Sequence, residues 1–345
     1  MRLKAIEDQV MVITGASSGM GLVTARAAAR RGARLVLVSR DEKTLNKLAE
    51  ELSMKGGRAI AVPADMTVEA DAQRVADQAI EHFGGFDTWA NIAGLTIYGS
   101  IEEVEREDHR RLFEINYWST FNGSLVAAKH LRERGGALIN MGSILSDMSV
   151  AYQGTYCASK HAVKAFTNAL RMELEAAHAP ISVTLIKPSS IDTPLRHHGK
   201  NFFSKEPQNP PPAYAPELVA ETIIQCAQFP RREIVIGGGG RLLTLLTNLA
   251  PRLAELFLEK TAVRLQTTKN PAGPRDKNSL YAPSENGRER GGSKWVFEHS
   301  PYTQAQLKPA TAAAIGIGIG VGVLTTALLA PKRSSRNRAL RRLRR

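Results

Sequence analysis

Cysteine is scarce in this chain of 345 residues. Its two cysteines, Cys157 and Cys226, are too few to build a disulfide framework in a protein of this length. A secreted scaffold held together by disulfides is therefore excluded, and the composition is typical of a reducing compartment. We accordingly expect the protein to be cytoplasmic.

Two other features are missing as well. Residues 1–9 are charged, and no apolar stretch precedes Val10, so we expect no cleavable signal peptide. The adjacent His197 and His198 have no cysteine, aspartate or glutamate at a spacing that would complete a metal site. We expect no bound metal, and we interpret both histidines as solvated loop residues.

Acidic residues are absent from the end of the chain. The formal net charge is +13, and Pro331 to Arg345 contain eight lysines and arginines without any acid. This tail supplies +8, which leaves +5 for everything before it. Because no folded nucleic-acid-binding module accompanies the tail, we expect no nucleic acid partner.

A strand, a glycine-rich turn and a helix follow one another near the N-terminus. Val10–Ile13 is a short branched apolar run, which is typical of a buried parallel strand, and Leu22–Arg31 is alanine-rich and helical. Thr14–Gly21 lies between them and contains three glycines. Such a turn lets the backbone approach a pyrophosphate, which the free amides at the helix start then bind. The order predicts a dinucleotide site.

The end of the second predicted strand indicates which dinucleotide is bound. Arg34–Val38 reads as that strand, and Ser39 and Arg40 follow it. An acid at this position would bind a free ribose 2′-hydroxyl, whereas an arginine suits a 2′-phosphate. We therefore favour NADP(H) over NAD(H), although Asp41 weakens the local positive field and Arg40 could be an ordinary surface arginine.

Strands and helices keep alternating along the first 240 residues. This alternation predicts an α/β fold, a Rossmann-type doubly wound parallel sheet with helices on both faces and a C-terminal extension. Asp65 and Met66 close the third predicted strand. Asp65 could either cap the next helix or lie at the adenine of a dinucleotide.

Tyr156 and Lys160 stand four residues apart on a predicted helix and so share one face. A free tyrosine has a pKa of about 10, and a nearby ammonium favours the phenolate, so the pair could act as an acid and base. Ser143 follows the predicted strand Ala137–Met141, at the strand end where open α/β sheets bind ligands. Taken alone, each motif could equally be a solvated pair or a turn serine.

Together these motifs resemble the short-chain dehydrogenase/reductases of the single-domain type over about residues 8 to 240. The match consists of the glycine turn, an N-x-A-G motif, a helix asparagine, a strand-end serine and Y-x-x-x-K, which are Thr14–Gly21, Asn91–Gly94, Asn116, Ser143 and Tyr156–Lys160. There are two departures from the family pattern. Ile92 replaces a common second asparagine, and Ser189 replaces the glycine that commonly follows the late proline, here Pro188.

The resemblance implies a catalytic tetrad of Asn116, Ser143, Tyr156 and Lys160. Tyr156 would exchange a proton with the substrate oxygen, and Ser143 would donate a hydrogen bond to that oxygen. Lys160 would lower the pKa of Tyr156 and hold the nicotinamide ribose. Asn116 would anchor a water that connects Lys160 to solvent.

The resemblance also implies which residues bind the cofactor. They come from the glycine turn, from the loops that follow the strands and from the catalytic helix: Thr14, Gly15, Ser17, Ser18, Gly19, Met20, Gly21, Arg40, Asp65, Met66, Asn91, Ala93, Gly94, Tyr156, Lys160, Pro188, Ile191 and Thr193.

The expected function is an NADP(H)-dependent oxidoreductase. It would transfer a hydride between nicotinamide and a carbonyl or secondary alcohol on a small, lipophilic substrate, and we expect a homo-oligomer. The alternative is a membrane-associated protein of the same fold that acts as a binding or scaffold protein with little turnover.

The rest of the chain divides by composition into a catalytic domain and four further segments. Residues 1–240 form the domain, and the leucine-rich residues 241–266 form a helical extension with a break at Pro251. Core packing, a dimer contact, a membrane surface and a lipophilic-substrate wall are all open interpretations of that extension. Residues 267–310 read as a linker with little fixed structure, followed by residues 311–330 and the basic tail 331–345.

Residues 311–330 are uncharged, and their length fits a bilayer span. A single span from the cytoplasm would place the basic tail outside, against the positive-inside tendency. A re-entrant or interfacial anchor with the tail on anionic headgroups would avoid that conflict. Membrane association through 311–345 is therefore one interpretation of this region, and a packed or assembly segment is the other.

Overall fold

The computed structural model describes residues 2–283 and 287–308. Described residues up to Thr303 belong to one compact unit, and a second unit begins at Gln304. The elements that position the site all lie in the first unit.

A parallel sheet of seven strands forms the centre of this unit. The strands of the described residues are β1 (Val10–Thr14), β2 (Arg34–Ser39), β3 (Arg58–Pro63), β4 (Thr88–Asn91), β5 (Ile97–Tyr98), β6 (Gly136–Met141), β7 (Ile181–Pro188), β8 (Lys200–Asn201), β9 (Lys205–Pro207), β10 (Ala213–Tyr214), β11 (Glu233–Ile236), β12 (Thr267–Pro271) and β13 (Val296–Phe297). The order across the sheet is β11-β7-β6-β4-β1-β2-β3. Every position of β1, β6 and β7 is buried, as parallel strands covered on both faces require.

Helices cover both faces of the sheet, which confirms the predicted fold class. The α-helices of the described residues are α1 (Gly19–Ala29), α2 (Glu42–Met54), α3 (Glu69–Phe83), α4 (Arg106–Phe113), α5 (Ser119–Arg134), α6 (Gly154–Ala176), α7 (Leu195–His198), α8 (Pro216–Gln228), α9 (Gly238–Leu249), α10 (Pro251–Gln266) and α11 (Pro301–Leu307). Val10 and Val12 of β1 share one core cluster with α3, α5 and α6. The alternate residues Met11 and Ile13 point to the other face, on which α1 and α8 pack together.

The strand order reverses beside β1. The chain runs outward from β1 to β2 and β3, and then returns to place β4 on the other side of β1. In open α/β sheets, ligands bind at the carboxyl ends of the strands at such a reversal. Thr14 and Asn91 end these two strands, so the glycine turn and the N-x-A-G loop lie side by side.

Two helices, α9 and α10, lie in the region interpreted as a helical extension. Helix α9 ends at Leu249 and α10 begins with Pro251, at a position where the missing N–H of proline costs no helical bond. Their leucines point in different directions. Leu249 and Leu253 are exposed, whereas Leu243 and Leu258 face a cavity of the catalytic domain.

The prediction of a linker with little fixed structure over 267–310 is wrong for residues 267–283 and 287–303. Strand β12 pairs with β9, and β13 pairs with β10. Leu280 is 1% exposed in a cluster with Ile97, Leu112 and Phe202, and Thr303 accepts a hydrogen bond from the Gly237 amide. The segment is polar overall, and only a few widely spaced residues such as Leu280 and Thr303 are buried. These residues are enough to hold it in place, because the domain supplies the surface against which they pack.

Residues 311–330 and 331–345, for which we consider a membrane segment and a basic tail, lie outside the described residues. In the part of the chain that the structure does describe, no helix is long and apolar enough to cross a bilayer. Within the same residues, no three metal-ligating side chains lie close enough together to hold an ion.

Candidate active site

The glycine turn has the geometry that a dinucleotide cradle needs. Gly15 and Gly19 have φ angles of +71° and +51°, which residues with a side chain rarely adopt. A Cβ on Gly21 would stand 2.1 Å from the Gly15 carbonyl oxygen, so no side chain fits there. The turn therefore leaves an open groove at the start of α1, and its backbone fits a pyrophosphate.

Most of the predicted cofactor-binding residues meet along this groove. Its lining includes Gly15, Ser17, Ser18, Gly19, Met20, Gly21, Arg40, Asp65, Met66, Ala93, Gly94 and Thr193. Pro188, Ile191, Tyr156 and Lys160 lie instead on the adjoining cavity. Met20, Gly94 and Thr193 line both spaces, so the groove and the cavity are continuous.

Thr14 and Asn91 are not on the groove surface. The Thr14 hydroxyl accepts hydrogen bonds from the amides of Ile92 and Ala93, at 2.9 and 3.2 Å. Asn91 is 3% exposed and donates to Ser124 and Asn140 inside the sheet. Both residues therefore support the loops that line the groove and do not themselves line it.

Arg40 and Asp65 lie on the groove, but each also has protein partners. The Arg40 guanidinium donates to the carbonyls of Ser279 and Leu280, at 2.5 and 3.4 Å. The Asp65 carboxylate accepts a hydrogen bond of 2.8 Å from Arg111. Burial acts to raise the pKa of Asp65, but the hydrogen bonds from Arg111 and Thr67 outweigh it and hold that pKa below its usual range.

A strap from the C-terminal region, residues 279–283 and 287–291, runs along the groove. The Gly19 amide donates to the Arg288 carbonyl at 2.8 Å, and the Gly287 amide donates to the Ser17 carbonyl at 2.9 Å. The Arg26 side chain forms an ion pair of 2.7 Å with Glu289. The position of the strap cannot be predicted from the sequence, since nothing in a polar Gly-Arg-Glu stretch indicates where it packs.

Ser143 and Tyr156 form the chemically reactive pair of the adjoining cavity. Ser143 follows β6 and caps a short 3₁₀ turn, where its Oγ accepts a hydrogen bond of 3.1 Å from the Leu145 amide. Its O–H is therefore still available to donate. Tyr156 lies in the first turn of α6, and the nearby Ser143 side chain acts to lower the pKa of its phenol.

Lys160 lies one helical turn beyond Tyr156 and is 3% exposed. Its Nζ donates to the Met141 carbonyl at 2.9 Å and stands 5.8 Å from the centre of the Tyr156 ring. Asn116 lies behind it in a π-helical turn, Glu114–Trp118, an irregularity that often marks functional sites. The predicted tetrad is thus brought together, with Asn116 buried beneath the cavity wall.

The side chain of Asn116 joins two parts of the site. Its Oδ1 accepts from the Leu95 amide at 2.8 Å, and its Nδ2 donates to Leu95 O and Ser159 Oγ, both at 3.0 Å. A Cβ on Gly94 would lie 3.2 Å from that Oδ1 and 3.4 Å from Lys160 Nζ. Asn116 therefore ties the loop after β4 to the helix that carries Lys160.

Burial is the largest influence on the pKa values of Tyr156 and Lys160. It raises the pKa of Tyr156 to about 12, against which the Ser143 hydrogen bond acts, and it lowers the pKa of Lys160 to about 8. The expectation that Lys160 lowers the Tyr156 pKa is not met in this structure, because the ammonium bonds to Met141 rather than to the phenol. A phenol with a raised pKa keeps its proton at neutral pH.

The cavity next to this pair has a volume of about 210 Å³ and a largely apolar wall. The C-terminal extension forms part of it, through Leu243, Leu258, Ala262, Leu265 and Gln266. The interpretation of the extension as a substrate wall is therefore supported for this face of the helices. Both departures from the family pattern, Ile92 and Ser189, also line this cavity.

The sheet, its glycine turn and the cluster around Tyr156 define a Rossmann-fold oxidoreductase. The family model for short chain dehydrogenases matches residues 9–201, more than half of the chain. The chain belongs to the short-chain dehydrogenase family.

The uncharacterized oxidoreductase YxnA of Bacillus subtilis is 42% identical over 317 residues, which cover 91% of this chain and 89% of that protein. Residues 1–240 alone cannot account for 91% of the chain. The likeness to YxnA therefore continues into the C-terminal extension.

Two solved structures share the fold. A short-chain type dehydrogenase/reductase from Mycobacterium marinum is 25% identical with a TM-score of 0.60, covering 68% of this chain and 96% of that one. The alcohol dehydrogenase of the archaeon Thermococcus sibiricus, complexed with 5-hydroxy-NADP, is 24% identical with a TM-score of 0.59, covering 66% and 95%.

Proposed function

We propose that the protein is an NADP(H)-dependent oxidoreductase that interconverts a carbonyl and a secondary alcohol on a lipophilic small molecule. The observation that carries this proposal is that Ser143 and Tyr156 both line the wall of one apolar cavity. That cavity opens into the glycine groove at Met20, Gly94 and Thr193. A carbonyl held by the pair therefore lies beside the dinucleotide groove.

Tyr156 is the general acid in reduction and the general base in the reverse direction. The phenol carries its proton at neutral pH and can donate it to a developing alkoxide, although burial makes it a weaker acid than a free tyrosine. The Ser143 O–H donates to the same oxygen and stabilises its negative charge. NADP(H), when bound, supplies or accepts the hydride.

Lys160 and Asn116 position this machinery. Lys160 holds the nicotinamide ribose and, through its bond to the Met141 carbonyl, the end of β6. Asn116 Oδ1 and Lys160 Nζ both lie within about 3.4 Å of the point that a Cβ on Gly94 would occupy, so a water held by Asn116 can reach Lys160 and carry protons to solvent.

The preference for NADP(H) rests on Arg40. Its guanidinium lies on the groove at the end of β2, where a 2′-phosphate would be placed. The two carbonyls that it already contacts leave other N–H donors for an anion, because a guanidinium has five.

We further propose that the protein works in a reducing compartment such as the cytoplasm, because Cys157 and Cys226 are both free and buried. Homo-oligomer formation and membrane attachment through 311–345 belong to the same proposal and rest on the sequence alone.

The decisive experiment is a screen of the purified full chain with NADPH and with NADH against lipophilic ketones and aldehydes, followed by absorbance at the nicotinamide band. We expect oxidation of NADPH with at least one ketone class. Tight binding of NADPH without turnover of any carbonyl compound would support the scaffold function in place of catalysis.

A further inference from the structure

Unpartnered polar atoms are concentrated in the substrate cavity. Within residues 2–283 and 287–308, seven buried side-chain nitrogen or oxygen atoms have no hydrogen-bond partner, and four of them belong to residues that line this cavity. They are Thr96 Oγ1, Ser189 Oγ, Ser190 Oγ and Gln266 Oε1. Burying a polar atom without a partner is costly, so this concentration points to a ligand that supplies the partners.

Gln266 is the most informative of the four. It is the last residue of α10 and is 3% exposed. Its Nε2 donates to the Ala151 carbonyl at 3.1 Å, so the amide must be oriented with its nitrogen toward that acceptor. The Oε1 atom then has no protein partner among the described residues.

The backbone around Gln266 is held firmly. Its own carbonyl accepts a hydrogen bond of 2.8 Å from the Gln208 amide, and the Thr267 hydroxyl donates to the Val263 carbonyl at 2.7 Å. With Ala151 holding the amide nitrogen, the side chain is anchored at both ends. Oε1 is thus a preorganised acceptor.

The chemistry of the partner follows from the atom types. A hydroxyl such as that of Thr96, Ser189 or Ser190 can donate or accept, whereas an amide oxygen can only accept. The partner of Gln266 must therefore be an O–H or N–H group. The neighbouring wall residues Leu258 and Leu265 are apolar, which disfavours a charged ammonium.

We propose that the substrate is a hydroxylated lipophilic ketone or the corresponding diol, and that Gln266 accepts a hydrogen bond from a neutral hydroxyl remote from the reacting carbon. This inference rests on the proposed carbonyl reduction, because it places the reacting carbonyl at Ser143 and Tyr156. Gln266 is then a specificity-determining residue contributed by the C-terminal extension.

The test uses matched pairs of ketones and the full-length chain. Each pair is a cyclohexanone with an alkyl tail opposite the carbonyl and the same ketone with a terminal hydroxyl on that tail, and the tails increase in length through the series. We compare kcat/KM with NADPH for the wild type, for Gln266→Met and for the control Gln225→Met, which makes the same change on α8 at a residue that does not line the cavity. Methionine keeps the length and removes the acceptor.

We expect the wild type to prefer the hydroxylated partner by at least ~10-fold at one tail length, because a buried acceptor discriminates against a ligand that leaves it unpaired. Gln266→Met should abolish that preference by lowering kcat/KM for the hydroxylated ketone alone. Gln225→Met should retain it. Equal losses on both members of a pair, or a wild type that never prefers the hydroxyl, would overturn the proposal.

A second measurement distinguishes failure of the proposed carbonyl reduction from failure of the role assigned to Gln266. Calorimetric binding of the same pairs to the Tyr156→Phe variant with NADPH measures recognition without turnover. A hydroxyl preference in binding, lost in Tyr156→Phe/Gln266→Met, supports the role of Gln266 even if no ketone is reduced. Reduction without any hydroxyl preference in rate or binding supports the oxidoreductase and rejects the assignment of Gln266.

Discussion

Lys160 Nζ donates a hydrogen bond of 2.9 Å to the carbonyl oxygen of Met141, the last residue of β6. Ser143 follows two residues later, and Tyr156 lies one turn before Lys160 on α6. The bond therefore ties the helix that carries the phenol to the strand end that carries the serine. A buried ammonium needs such a partner, so the contact serves both stability and the geometry of the site.

Replacing Tyr156 with phenylalanine removes the transferable proton and keeps the ring. We expect Tyr156→Phe to lower turnover by at least ~100-fold, as loss of a general acid does, while NADPH binding stays intact. Steady-state kinetics and fluorescence titration with NADPH measure the two effects. Tyr117→Phe, in the aromatic cluster beneath α6, is the matched control and should retain activity. Full turnover by Tyr156→Phe would exclude the assigned mechanism.

The lowered pKa of Lys160, about 8 against an ordinary 10.5, predicts a pH-dependent stability. Between these values the unfolded chain binds the proton that the folded chain has released, so this contribution to stability increases with pH and is lost as pH falls toward about 8. The full shift corresponds to roughly 3 kcal/mol. Above pH of about 10 the raised pKa of Tyr156 acts in the opposite direction, because the unfolded phenol ionises first.

Urea unfolding of wild type and Lys160→Met between about pH 7 and 10 isolates this contribution. Methionine cannot titrate, so the free energy of unfolding of the wild type should rise relative to that of the variant as pH increases. Parallel pH profiles for the two proteins would mean that Lys160 is not the titrating group.

Arg40 should discriminate between the two dinucleotides. Charge-assisted hydrogen bonds to a phosphate contribute roughly 1.5–3 kcal/mol each, so Arg40→Ala should weaken NADPH binding by about 10- to 100-fold and NADH binding far less. Calorimetry with both dinucleotides measures the difference, and Arg74→Ala, on the exposed side of α3, is the control. Tighter binding of NADH than of NADPH by the wild type would contradict this assignment.

The strap predicts where the chain can be shortened. A chain ending at Gln266 lacks Leu280 and Thr303, which are buried in the domain, so we expect a lower unfolding temperature or insoluble protein. A chain ending at Lys308 keeps both residues and should unfold like the full chain. Leu280→Ala in the full chain should cost about 2–5 kcal/mol, as other buried leucines do. A stable chain ending at Gln266 would show that the strap does not contribute.

Membrane attachment can be tested by comparing the full chain with the chain ending at Lys308. We expect the full chain to sediment with membranes and the shortened one to remain in the supernatant. Each basic residue near an anionic surface contributes roughly 1 kcal/mol, so high salt should release an electrostatic attachment but not an inserted one. Recovery of the full chain in the supernatant at low salt, without detergent, would show that it is not attached to the membrane.

Local sequence patterns predicted the parts of the site that lie at strand ends and helix starts. The glycine turn, Ser143 after β6 and the Tyr156–Lys160 pair each depend on neighbours within a few residues, and the structure brings them together as expected. The strand Glu233–Ile236 and the helix Pro216–Gln228 also carry strong local signals, namely a branched apolar run and a proline at the first helical position.

The doubly wound sheet and the order of its motifs can be predicted from the sequence, because the hydrophobic periodicity and glycine positions that encode them are local. That Gln266 lines the cavity and that Ser279 and Leu280 contact Arg40 follows only from tertiary packing. These contacts join residues more than a hundred positions apart, and polar side chains in an irregular segment carry no periodic signal. Their partners are selected by packing against a domain that has already been formed by the sheet.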